Sequence, residues 1–170
     1  MNITITERPS RKLVGFPPVC GKFPRIMILG SMPSVESLRQ KQYYGLPRNQ
    51  FWKILRNLLK SGELNNYEDK KRMLMSNHIA LWDVVYSCRR EGSLDSNMRD
   101  IKTNDFKYLL KTHTTLNAIF CNGQASYQLF RRTNKDIDLP IIVLPSTSPA
   151  YTLSFDKKLA KWRKILKFLR

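Results

Sequence analysis

The chain has 170 residues, enough for one domain spanning residues 1–170, and its 42% hydrophobic share is typical of a folded protein. Its 30 Lys and Arg against 13 Asp and Glu give a net charge of +17, which favours a polyanionic partner over a basic surface kept only for solubility. Three separated cysteines and two histidines exclude a disulfide framework and the usual zinc or iron–sulfur ligand sets, and no apolar run is long enough to span a bilayer.

Short apolar runs alternate with segments of helical periodicity along the chain. This alternation predicts an α/β fold in which helices cover both faces of a parallel sheet. The predicted strands are Arg25–Leu29, Ile79–Val85, Leu116–Cys121 and Ile141–Leu144. The predicted helices are Asn49–Lys60, Tyr67–Asn77, Asn104–Lys111, Gly123–Arg132 and Phe155–Arg170.

Both ends of the chain carry further information. The polar start Met1–Thr4 is unlike a signal peptide, so we expect a cytoplasmic protein, which its net positive charge would associate with the nucleoid through DNA. The segment Phe155–Arg170 is amphipathic, with an apolar stripe that we expect to pack on the sheet. Its lysines, Lys158 among them, are expected on a solvated basic face.

Two short loops directly follow predicted strands, Gly30–Ser34 after the first strand and Leu144–Pro149 after the last. In open α/β sheets, ligands bind beyond the carboxyl ends of the strands. The two loops are therefore expected to face each other across one crevice.

The Gly30–Ser34 loop and the segment Gln42–Trp52 together form a specific pattern. The pattern resembles the uracil-DNA glycosylase superfamily, and most closely its hypoxanthine-DNA (deoxyinosine) glycosylase branch. Further segments that resemble this branch, in the same order along the chain, are Gly15–Pro18, Leu81–Val84, Glu91–Ser96, Cys121–Gly123 and Leu144–Ala150. A match spread from Gly15 to Trp162 is far more specific than one short motif.

The resemblance implies a three-layer α/β/α fold with a central four-stranded parallel sheet. It implies a monofunctional enzyme that flips a deaminated base out of DNA and hydrolyses its N-glycosidic bond, leaving an abasic site. No metal and no cofactor are expected, and the expected partner of this monomer is DNA that contains deaminated bases.

The resemblance assigns the catalytic part to asparagines. Many superfamily members carry Asp, Glu or Asn at the third position of the first motif, where this chain has Met32. Asn49 matches the asparagine that orients water in the branch, although an N-cap is the plain structural alternative. Asn122 matches another catalytic or substrate-reading asparagine, and its alternative is a turn residue at a strand end.

Other matched positions are expected to bind substrate. The backbone of Gly30, Ser31, Met32 and Pro33 would frame the pocket. Tyr44 aligns with an aromatic residue that stacks on the flipped base, with Tyr43 as the alternative stacking ring.

Two more substrate contacts follow from the resemblance. Asp83 falls near a base-reading position and would accept the N1–H of hypoxanthine, although an ion pair with Arg89 or Arg90 explains it equally well. The second loop would supply donors for DNA phosphates; its residues are Ser146, Thr147, Ser148 and Pro149.

Two other functions remain open from the sequence. One is a mismatch-specific uracil-DNA glycosylase, which differs only in the shape of the base pocket. The other is a basic nucleic-acid-binding module without catalysis, which would bind with a steep salt dependence and leave no abasic product.

Overall fold

Strands and helices alternate through residues 10–170, which are the residues that the computed structural model describes; Met1–Thr4 lies outside them. The strands are β1 (Lys12–Val14), β2 (Ile26–Gly30), β3 (Ile79–Asp83), β4 (Val85–Arg89), β5 (Arg99–Thr103), β6 (Ala118–Asn122) and β7 (Ile141–Leu144). The α-helices are α1 (Val35–Gln40), α2 (Phe51–Leu58), α3 (Tyr67–Ser76), α4 (Phe106–Thr112), α5 (Gln124–Thr133) and α6 (Phe155–Trp162). Short 3-10 helices span Asp95–Asn97 and Arg163–Phe168.

The central sheet has four parallel strands in the order β3-β2-β6-β7. In its middle, Ile26 of β2 pairs with Ile79 of β3 on one side and with Ala118 of β6 on the other. All five residues of β2 are buried, as expected for a strand covered on both faces. The predicted four-stranded parallel sheet is confirmed.

Helices pack against both faces of this sheet. Successive strand residues point to opposite faces, so Ile28 joins a core with residues of α2, α3 and α6, whereas Leu29 joins a second core with residues of α4 and α5. The predicted three-layer α/β/α architecture is therefore confirmed. None of the helices in residues 10–170 has the length and apolar character of a membrane-spanning segment.

Strands β1, β4 and β5 form a second, antiparallel sheet that the sequence did not predict. The predicted strand Ile79–Val85 is divided, because β3 ends at Asp83 and the next residue turns away from the central sheet. At this turn Val84 donates its N–H to the carbonyl of Gly30 at 2.9 Å. The turn couples the first motif loop to the start of the second sheet.

The C-terminal segment is not one continuous α-helix, since α6 ends at Trp162 and continues as a 3-10 helix. Its apolar side packs on the sheet as expected, with Trp162 fully buried and donating Nε1–H to the carbonyl of Pro145. Lys158 corrects the expected basic face, because it is only 1% exposed. Its Nζ donates to the carbonyl of Ser148 at 3.2 Å and lies over the ring of Tyr151, so it supports the second motif loop.

Candidate active site

A cavity of about 430 Å³ lies at the carboxyl ends of the central strands, between the two motif loops. Its volume is in the range of small-molecule sites. Eleven of the predicted site residues line it, namely Gly30, Ser31, Met32, Pro33, Tyr44, Asn49, Asp83, Asn122, Ser146, Thr147 and Ser148. Pro149 does not line the cavity.

The first motif loop approaches its neighbours closely at Gly30. A Cβ at this position would clash with Oδ1 of Asp83 and lie 2.9 Å from the hydroxyl of Tyr44, so a larger residue would displace these two site side chains. The loop ends where Ser34 caps helix α1, its hydroxyl accepting the N–H of Ser37 at 3.1 Å. Met32 is 7% exposed and packs in a small hydrophobic cluster beside the second sheet.

Asn49 lies one residue before the N-cap of helix α2, which is Gln50. Its Oδ1 accepts the N–H of Phe51 at 3.0 Å, so the side chain does satisfy a donor of the first helical turn. This bond also fixes the orientation of the amide, and it leaves the Nδ2 group available to the cavity. The structural interpretation and the catalytic one are therefore compatible.

Asn122 ends strand β6 and connects three parts of the site. Its Nδ2 donates to the hydroxyl of Tyr44 and to Oγ1 of Thr147, both at 2.9 Å. Its Oδ1 accepts the N–H of Thr147 at 2.9 Å. Both amide hydrogens are thus used within the protein, and a catalytic role of Asn122 stays a prediction.

Tyr44 is half-buried, and its ring stacks on Phe51 with centroids 3.9 Å apart and planes 20° apart. Tyr43, the alternative stacking residue, is 2% exposed and donates its hydroxyl to the carbonyl of Pro17 at 2.9 Å. These contacts place Tyr43 in the hydrophobic core. Stacking of a base on Tyr44 remains a prediction.

Asp83 ends strand β3 and is only 4% exposed. Its Oδ2 is fully buried and has no hydrogen-bond partner among the described residues. Burial raises the pKa of this carboxyl to about 7, helped by the nearby charge of Asp95 and opposed by that of Arg90. The group therefore exchanges its proton near neutral pH, a property often found at functional sites.

The alternative explanation of Asp83, an ion pair with a neighbouring arginine, is wrong. Arg89 lies 3.3 Å from the carboxylate of Asp100 instead. Arg90 is 4% exposed and donates to the carbonyl of Pro33 at 2.5 Å. Neither arginine therefore forms an ion pair with Asp83, although the charge of Arg90 still acts on this carboxyl, and Nε and Nη1 of Arg90 have no hydrogen-bond partner among the described residues.

The second motif loop is held from inside by Thr147, which is fully buried. Its carbonyl accepts the N–H of Gln50 at 3.0 Å, which ties the loop to the start of helix α2. A buried hydroxyl already bonded to Asn122 does not reach a DNA phosphate. Within this loop the expected phosphate donors are therefore Ser146 and Ser148, which remain partly exposed.

Asp95, which the sequence assigned no role, also lines the cavity. The hydroxyl of Ser31 donates to its carboxylate and lies 2.8 Å from both oxygens. The resemblance included the segment Glu91–Ser96 but no function for this aspartate. Its contact with the first motif loop joins residues 64 positions apart, and no local pattern reveals such a pairing.

The two histidines do not contribute to the cavity lining. His78 is exposed and His113 half-buried, and both lie outside the lining. Within residues 10–170, no three side chains of His, Cys, Asp or Glu are grouped to hold a metal ion.

We expect Gly123→Ala to destabilise the site, because Gly123 has φ +93° and ψ 167°, a conformation essentially restricted to glycine. A Cβ here would also lie 3.0 Å from Cβ of Ser146. The free energy of unfolding should fall by about 1–3 kcal/mol in urea titrations. Gly62→Ala is the control, because no atom lies within 4 Å of its added Cβ, and an equal loss there would contradict the strain at Gly123.

The fold, with its cavity at the carboxyl edge of a four-stranded parallel sheet, agrees with a known family of DNA-acting proteins. The family model described as the uracil DNA glycosylase superfamily matches residues 17–170. The chain belongs to this superfamily.

Relatives agree with this assignment. The chain is 35% identical over 154 residues to a hypoxanthine DNA glycosylase of Methanosarcina acetivorans, covering 90% of this chain and 97% of the relative. It is 32% identical to a hypoxanthine DNA glycosylase of Methanosarcina barkeri, over 92% of this chain and 99% of the relative. A solution NMR structure from Methanosarcina acetivorans, provisionally named a uracil DNA glycosylase, matches with a TM-score of 0.82 and 34% identity, covering 94% of this chain and 99% of that one.

Proposed function

We propose that this protein is a monofunctional DNA glycosylase that removes hypoxanthine from deoxyinosine in DNA by hydrolysing the N-glycosidic bond. The observation that carries the proposal is the convergence of Asn49, Asp83 and Tyr44 on one cavity, in a chain that belongs to the uracil DNA glycosylase superfamily. Two relatives named hypoxanthine DNA glycosylase, matched over nearly their whole length, support the choice of base.

The surroundings of the cavity fit a substrate carried by DNA. A net charge of +17 attracts the phosphate backbone, whereas the cavity itself contains carboxylates. The backbone therefore binds outside, and an extruded nucleotide enters the cavity at a cost of a few kcal/mol that a mispaired base reduces. We further propose that the protein acts as a monomer.

In this proposal Asp83 reads the base. Hypoxanthine presents an acceptor, O6, beside a donor, N1–H. A neutral carboxyl group complements both, whereas an ionised one accepts from N1–H and repels O6. Because the pKa of Asp83 is raised to about 7, the neutral form is available at physiological pH.

In this proposal Asn49 acts on the reacting centre without transferring a proton itself. An amide has no useful basicity, so its contribution is to orient water and to stabilise charge as the C1′–N9 bond breaks. The hydrogen bond from the N–H of Phe51 holds this amide rigid, so little reorganisation is needed during the reaction. Asn122 is bonded to Tyr44 and Thr147, which also line the cavity.

The test is an excision assay on duplexes that carry a single inosine, uracil or xanthine, or no lesion, with alkali to reveal abasic sites. We expect cleavage of the inosine strand that persists in the presence of a chelator. Cleavage of uracil alone would replace the proposal with a mismatch-specific uracil glycosylase. Binding that weakens steeply with salt, without any abasic product, would indicate a nucleic-acid-binding module instead.

A further inference from the structure

Hydrolysis of the N-glycosidic bond releases a proton from the attacking water. The amide of Asn49 and the thioether of Met32 are not useful bases. Among the described residues, the carboxylates that line the cavity belong to Glu36, Asp83 and Asp95. The proton acceptor is therefore to be sought among these three.

Two of the three carboxylates are unsuited to the task. Glu36 is bonded to Arg39 at 2.9 Å and to Gln40, and these bonds lower its pKa to about 2, which makes it a weak base. Asp83 is assigned to reading the base under the proposed function, so its carboxyl group faces hypoxanthine rather than the attacking water.

Asp95 differs from both in its surroundings. Its carboxylate is half-buried in the cavity wall and accepts a hydrogen bond from the hydroxyl of Ser31. This hydroxyl carries a single proton, so lone pairs on the carboxylate remain for a water molecule. Since Ser31 directly follows β2, the bond holds Asp95 at the carboxyl end of that central strand.

We propose that Asp95 is the general base of the reaction, an inference that rests on the proposed glycosylase function. Water held between Asp95 and Asn49 attacks C1′ of the extruded nucleotide, forming the C1′–O bond while the proton of the water passes to the carboxylate. The C1′–N9 bond breaks, and its electron pair leaves with the purine, which takes up a proton from solvent after release. Asp95 then returns its proton to solvent.

The charges around Asp95 determine how the reaction depends on pH. Burial raises its pKa above the ordinary value of 3.8, while the hydrogen bond from Ser31 and the charge of Arg90 lower it. The other titratable groups that interact with it are Asp83, Cys88 and Tyr44. A base is active only when ionised, so the rate is expected to fall as the pH drops through the pKa of Asp95.

The test is the single-turnover rate of inosine excision as a function of pH for Asp95→Asn. General-base catalysis typically contributes 10²- to 10⁴-fold, so we expect the variant to be at least about 100-fold slower at neutral pH. Its rate should also lack the acid limb, which is the decrease in rate as the pH falls through the pKa of Asp95. DNA affinity should not fall, because the amide that replaces the carboxylate still offers an oxygen to Ser31. The matched control, Asp100→Asn on the exposed strand β5, should excise at the wild-type rate.

A second variant separates catalysis from support of the loop. Ser31→Ala keeps the carboxylate but removes the hydrogen bond that lowers its pKa, so the acid limb should move to higher pH. A merely structural role for Asp95 predicts no such movement. The proposal is overturned if Asp95→Asn excises within about threefold of the wild-type rate, or if the acid limb is the same in all the variants. If the wild-type protein excises no inosine at any pH, the proposed function itself is wrong.

Discussion

Replacing Asn49 with alanine is expected to lower the single-turnover rate of inosine excision by about 10²- to 10³-fold, the usual loss when one preorganised polar group is removed from an active site. DNA affinity should change little, because the phosphate backbone is bound by the basic surface rather than by this amide. The rate is measured with enzyme in excess over a duplex that carries inosine, and affinity by fluorescence anisotropy on the same duplex.

The control for this variant is Asn66→Ala. Asn66 caps helix α3, and its Oδ1 accepts the N–H of Asp69 at 2.9 Å, much as the Oδ1 of Asn49 accepts that of Phe51. Both substitutions therefore remove a bond at the start of a helix, which costs about 1 kcal/mol of stability. Asn66 lies outside the cavity lining, so its loss should leave excision unchanged. Equal rates for the two variants would remove Asn49 from the mechanism.

The central sheet was predictable because its strands are apolar throughout. Ile26–Leu29 and Ala118–Cys121 are fully buried between two helical layers, so their sequences contain no polar interruption. The two motif loops were predictable for the same reason, since each begins where such a run ends. Their position around one cavity then follows from the parallel arrangement of the strands.

The second sheet and helix α1 lacked this signal. Four of the five residues of Arg99–Thr103 are exposed, so strand β5 has no apolar face that the sequence would reveal. Helix α1 has only six residues, Val35–Gln40, which is too short for a helical period to be recognised. Strand β5 is held by its pairing with β4, and the start of helix α1 by the hydrogen bond from the N–H of Val35 to the hydroxyl of Ser93, so neither element depends on a strong local preference.

Site residues could be predicted where a local sequence motif positions them, but not where their position depends on a contact between two separate segments. Asn49 and Tyr44 occupy one segment whose pattern resembles a family motif, so their place near the cavity was foreseeable. Lys158 and Asp95 depend on tertiary contacts with Ser148 and Ser31. The sequence alone predicts Lys158 at the surface, because a buried ammonium group is uncommon unless a particular loop supplies its acceptor.

The buried carboxyl of Asp83 also affects the stability of the protein. We expect Asp83→Asn to make the protein progressively more stable than wild type as the pH rises from about 4 to about 8. The pKa of Asp83 is raised from 3.8 to about 7 in the folded protein, so between these values the native state binds more protons than the unfolded state. Wild-type stability therefore falls with rising pH over this interval and levels off above it.

The expected size of the effect follows from the pKa difference. One pKa unit corresponds to about 1.4 kcal/mol, so the shift from 3.8 to about 7 amounts to about 4 kcal/mol between the two ends of the interval. Asparagine cannot ionise, so the variant loses this pH dependence while it keeps a donor and an acceptor for the base. Urea unfolding at about pH 4 and pH 8 measures the difference, and Asp138→Asn at an exposed position controls for the change in net charge. Parallel stability curves for wild type and Asp83→Asn would mean that the carboxylate is already ionised inside the cavity, and the neutral recognition of hypoxanthine would be wrong.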